Sequence, residues 1–112
     1  MAVPATQDLT ITRGDTETVI VSMTNSLGEV IPITGRIYTA QLRTTPNIAV
    51  VSASFTCTIT DGPNGEVSCV LASADSALLS PGYFYWDLQE NASGIISTIL
   101  SGNVTVLADV TR

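Results

Sequence analysis

The chain has 112 residues, the length of one domain, and only 12% of them are charged, about half the usual ~25%. Four arginines, no lysine and no histidine stand against ten carboxylates, for a net charge of −6. That balance argues against nucleic-acid binding, which needs clustered cations to neutralise phosphate. It also argues against docking on an anionic membrane face, and an apolar content of 45% excludes disorder.

Residues 1–7 read as a flexible N-terminal arm, followed by a single domain over 8–112. The segment from Met1 to Asp8 lacks the basic and apolar regions of a signal peptide. Ile48 to Val51, the longest aliphatic run, falls far short of the ~20 residues of a membrane helix. Synthesis and retention in a cytoplasm are therefore expected. Leu9 to Thr12 and Thr18 to Thr24 read as strands separated by an Arg13-Gly14-Asp15 turn, with Val19, Val21 and Met23 on one parity. Loops follow at 25–28 and 32–35. Arg36 to Arg43 alternates Tyr38, Ala40 and Leu42 with Thr39, Gln41 and Arg43.

The clearest alternation starts at Val51. Val51, Ala53, Phe55, Cys57 and Ile59 interleave with Ser52, Ser54, Thr56, Thr58 and Thr60, one face apolar and the other hydroxylated. Asp61-Gly62-Pro63-Asn64-Gly65 is dense in turn residues. With Thr60 and Glu66 flanking that loop, the register pairs Ile59 with Val67, Cys57 with Cys69 and Phe55 with Leu71, all on the core face. Ser73 is placed to cap a short helical turn through Leu79, with Asp75 in its first turn, and Ser80-Pro81-Gly82 ends it. From Tyr83 to Gln89, Phe84, Trp86 and Leu88 share the inward parity, while Tyr83 and Tyr85 point outward. Asn91 to Gly94 turns the chain into a last extended stretch from Ile95 to Val110, with a bulge or break expected at Gly102-Asn103. The expected fold is all-β: an immunoglobulin-like antiparallel β-sandwich of about seven strands with one short helical turn near Ser73–Leu79.

No catalytic residues stand out, and no enzyme is expected. Without histidine or lysine the commonest general base and the amine nucleophile are missing, and the carboxylates fall mostly at strand ends and turns. No cofactor or metal is expected either. Cys57 and Cys69 alone supply too few ligands for zinc, and the 61–66 loop places Pro and Gly where a calcium loop needs oxygen ligands. The two cysteines read as buried core thiols, a cross-strand bridge being the alternative. Arg13-Gly14-Asp15 and the Asn91-Ala92-Ser93 and Asn103-Val104-Thr105 triplets read as turn and strand grammar rather than receptor or glycosylation signals. Tyr83, Tyr85, Arg36 and Arg43 are the candidate partner-contact residues. Met1, Val3 and Pro4 are the candidate contacts of an arm that could add a strand to a neighbour's sheet.

Several strings in order carry a resemblance: Leu9-Thr10-Ile11-Thr12-Arg13-Gly14-Asp15-Thr16, Ile33-Thr34-Gly35, Ala40-Gln41-Leu42-Arg43, Leu79 through Leu88, and Gly102 through Val106 leading to Asp109-Val110-Thr111. From about Leu9 to Thr111 the chain resembles small immunoglobulin-like virion proteins of tailed bacteriophages, including the front domain of baseplate upper proteins and stand-alone capsid or tail accessory proteins. The resemblance implies a structural virion protein, foremost a capsid decoration or cement protein on the major capsid protein lattice, homo-oligomeric or lattice-bound, and made in the host cytoplasm. A tail or baseplate component is the alternative within that class. A carbohydrate-binding module aiding host attachment is the alternative outside it.

Overall fold

The computed structural model describes residues 5–25, 27–45 and 51–110. Alternating apolar and polar side chains form eight strands there: β1 (Ala5–Thr6), β2 (Leu9–Thr12), β3 (Glu17–Ser22), β4 (Ile37–Arg43), β5 (Ala53–Asp61), β6 (Glu66–Leu71), β7 (Gly82–Ala92) and β8 (Ile95–Leu107), with one helical turn, α1 (Ser73–Ser76), between β6 and β7. The strand order is β1-β8-β7-β4-β5-β6-β3, with β2 also beside β8. β5 is shared. Its start pairs with β4 (Leu42↔Ala53, Ala40↔Phe55), and its later part pairs with β6 (Thr56↔Val70 to Ile59↔Val67). The sheet therefore curls, and its two ends enclose one core. β4, β7 and β8 supply Ala40, Leu42, Phe84, Trp86, Leu88, Val104 and Val106, while β3 and β6 supply Val21, Val67, Cys69 and Leu71. The grouping of β4-β7-β8 against β3-β6-β5 is that of the C-F-G and B-E-D halves of an immunoglobulin-like sandwich.

Several expectations are corrected. The sheet is mixed rather than antiparallel, because β1 and β2 both run parallel to β8 (Ala5↔Leu100, Leu9↔Val104, Ile11↔Val106). The end of the expected free arm is tied down. Ala5 and Thr6 pair with β8, the Gln7 N–H donates to the Ser101 carbonyl at 2.9 Å, and the Trp86 indole N–H donates to the Gln7 carbonyl at 2.7 Å. Met1, Val3 and Pro4 lie outside the described residues. In the β5–β6 hairpin Cys57 faces Cys69 and Ile59 faces Val67, but Phe55 has already crossed to Ala40 instead of Leu71. Thr60 is a bulge residue rather than the loop flank, and Asp61 pairs with Glu66. The Asp61 carboxylate takes hydrogen bonds from the Asn64 backbone and side chain, which tightens the turn by a residue. Gly65 then sits at φ +75°, where a Cβ would press on the Met23 and Ile31 carbonyls.

The helical turn is shorter than expected. Ala72 occupies its N-cap and Ser73 makes no capping bond, although Asp75 does lie in the first turn. Tighter bonds from Leu78 and Leu79 to Asp75 and Ser76 carry the chain on to Leu79. Nor does β8 break at Gly102-Asn103. The irregularity lies earlier, where Leu88 faces Leu100 but Gln89 faces Thr98, leaving Ile99 as the extra residue.

Candidate functional site

The outward face of β4, β7 and β8 follows from register alone. Cross-strand rows run Arg43–Tyr85–Asn103, Gln41–Asp87–Ser101, Thr39–Gln89–Thr98 and Ile37–Asn91–Ile96, with Tyr83–Thr105 beyond the first. The inward partners on β7 (Phe84, Trp86, Leu88) are buried, so side-chain alternation fixes these residues on the opposite side. The centre is polar and mostly neutral. One end carries Tyr83 (82% exposed) and Tyr85 (42% exposed), and the other carries Ile37 and Ile96, both more than half exposed. A shallow groove of about 370 Å³ crosses the upper rows, lined by Tyr85, Gln41, Asp87, Ser101, Gly102 and Asn103 among others. A second depression, about 400 Å³, continues past Tyr83 toward Asp8 and Thr10.

Asp87 is the carboxylate of this groove. Partial burial raises its pKa above the ordinary aspartate value, and the Arg43 guanidinium partly offsets that. Arg43 itself donates to the Gln41 side-chain carbonyl at 2.9 Å. The charge is thus spread through a small network of hydrogen-bonding groups rather than concentrated.

The four candidate contact residues do not form one site. Tyr83, Tyr85 and Arg43 share the outward face. Arg36 lies elsewhere, just before β4, where it donates to Glu90 at 3.1 Å. Glu90 is on the inward parity of β7 and only 8% exposed, and it also accepts the Tyr38 hydroxyl proton at 2.5 Å. Arg36 therefore serves as the counter-ion of a buried carboxylate. Tyr38 is pushed well above the ordinary phenol range, first by burial and then by its bond to Glu90. The pairing of Arg36 with Glu90 was not visible in the sequence because the two are 54 residues apart.

The other singled-out residues have local explanations. In Arg13-Gly14-Asp15 the Arg13 Nε donates to the Ala77 carbonyl, the Gly14 N–H donates to the Ser76 hydroxyl, and that hydroxyl donates to the Asp15 carbonyl. The tripeptide is a joint with α1. Asn91 accepts the Gly94 N–H and closes the β7–β8 turn. Cys57 is half-buried and Cys69 buried, with their sulfurs 3.5 Å apart. Among the described residues no group of three or more Cys, Asp or Glu is placed to hold a metal ion, and no helix is long and apolar enough to cross a membrane.

No protein-family model and no curated protein sequence matches the chain. Among solved structures it is similar to InlP of Listeria monocytogenes, at 20% identity and TM-score 0.49 over 89% of this chain and 26% of that one. It is also similar to the filamin domain of Lin-41, at 13% identity and TM-score 0.45 over 85% of this chain and 81% of that one. The chain spans about a quarter of the InlP chain.

Proposed function

We propose that the chain is a non-catalytic contact module, a structural subunit of a tailed-bacteriophage particle that sits on the major capsid protein lattice through the outward face of β4, β7 and β8. The observation that carries the contact role is the composition of that face. Exposed tyrosines at one end and isoleucines at the other flank a polar, nearly neutral middle. Such a surface meets another protein without stripping water from unpaired charges. The virion setting rests on the ordered strings from Leu9 to Thr111. Repetition over a lattice makes a modest single contact sufficient, through avidity. The test is quantitative mass spectrometry of purified particles from the source phage. Copy numbers matching the capsid lattice support the reading, copy numbers set by tail symmetry move the subunit to the tail or baseplate, and absence from particles overturns it.

The groove favours a second reading, carbohydrate binding in host attachment. The Tyr85 ring offers a stacking surface, and Gln41, Asp87 and Asn103 offer the donors and acceptors that fix sugar hydroxyls. A glycan array that binds the wild-type chain and not Tyr85→Ala would establish this reading over lattice docking. No glycan binding would remove it.

A further inference from the structure

Cys57 and Cys69 face each other directly across the β5–β6 ladder, with sulfurs 3.5 Å apart. Cys57 is half-buried and reachable from solvent, whereas Cys69 is fully buried. We infer that these residues form a peroxide-sensitive dithiol that closes an intrachain disulfide between β5 and β6. Bonding distance, about 2.05 Å, lies within side-chain rotation of the present positions, because the residues are already direct partners. The chemistry is asymmetric in the required sense. The close contact with the Cys69 sulfur holds the Cys57 thiol below its ordinary pKa, against the burial that would raise it. The same contact, together with burial, pushes Cys69 up. Cys57, the sulfur that solvent reaches, is therefore the attacking one and the buried Cys69 the resolving one. The Cys57 thiolate attacks a peroxide oxygen, an S–O bond forms as the O–O bond breaks, and the departing hydroxide takes up the proton that Cys57 released. The Cys69 sulfur then attacks the Cys57 sulfenic acid. The S–S bond forms, the S–O bond breaks, and the hydroxide leaves as water with the Cys69 proton. Two thiols and one hydrogen peroxide become one disulfide and two waters.

The test uses the full chain, purified reduced, then treated with stoichiometric hydrogen peroxide. The expected result is loss of both thiols, an intact mass lower by two hydrogens, a monomer on non-reducing electrophoresis, and reversal by phosphine reductant. Cys69→Ser should instead accumulate a Cys57 sulfenic acid that dimedone traps. As a check independent of any variant, iodoacetamide should label Cys57 in the folded wild-type chain at least ~10-fold faster than Cys69. Thiols that survive peroxide, irreversible oxidation without loss of two hydrogens, disulfides between chains, or faster labelling of Cys69 would each overturn the inference.

Discussion

Trp86 ties the N-terminal strands to the core. The residue is 2% exposed and its ring centroid lies 5.7 Å from that of Phe55, while its N–H holds the Gln7 carbonyl. Gly102 makes that approach possible, since a Cβ there would collide with the same carbonyl. Trp86→Phe keeps an aromatic ring but removes the donor to the Gln7 carbonyl, a loss of about 0.5–1.5 kcal/mol. Gly102→Ala forces the chain at Gln7 away. Both variants should lose amide-exchange protection at Gln7 before protection in β7 falls, as hydrogen-exchange mass spectrometry can show. Equal loss across the whole chain would refute this. Asp87 offers a second test at this scale. Its pKa is raised in the fold, so the native state holds its proton more tightly than the unfolded chain does. From the ordinary aspartate value up to the raised one, its contribution to stability grows as pH falls and is lost as pH rises. Asp87→Asn removes this slope. The variant should gain in melting temperature relative to wild type at neutral pH, and the gain should shrink toward pH 4. An unchanged difference across that range would mean that Asp87 is not desolvated.

Among the elements, the β7–β8 hairpin has the most improvable joint. Its two-residue turn places Ser93 at φ +53° and Gly94 at φ +91°, the pair of left-handed conformations that favours Asn-Gly. Ser93→Asn should therefore stabilise the domain by about 0.5–1 kcal/mol, seen as a higher denaturant midpoint at unchanged slope. A lower midpoint would show that the serine makes a compensating contact. What the sequence disclosed at this scale depended on how local the cause was. The period-two rows of β5, β6 and β7 were legible because burial on one face imprints itself on consecutive residues. Cys57↔Cys69 followed from the loop between them. The parallel pairing of β1 and β2 with β8 was not legible. Neither strand carries a mark of its partner, and the pairing is fixed by groups some 95 residues away, such as the Asp8 carboxylate that accepts the Asn103 N–H. The switch of Phe55 from β6 to β4 was hidden for the same reason, since alternation tells which face a residue takes but not which neighbour. In the candidate site, Tyr83 and Tyr85 could be placed outward by parity, whereas Arg36 could not be separated from Arg43 until Glu90 was seen opposite Tyr38.

At the scale of the molecule, the domain holds its core and the proposed contact face on opposite sides of the same three strands, so stability can be varied separately from any docking through that face. Every second residue of β7 serves packing and the others serve the surface. Replacing both Tyr83 and Tyr85 with alanine removes aromatic area from the exposed side without opening a cavity. Surface changes of this kind cost within about 0.5 kcal/mol each, so the melting temperature should stay near the wild-type value. On the proposed function, occupancy on particles should nonetheless fall at least ~10-fold, as exposed aromatic anchors carry a large share of contact energy. On the same proposal, added salt should weaken docking of the wild-type chain by no more than a few-fold between low and physiological ionic strength, because a mostly neutral face has little charge to screen. A double variant that melts normally and still fills the lattice would move the contact elsewhere on the surface. A docking strength that collapses with salt would point to the acidic loops rather than the β4-β7-β8 face.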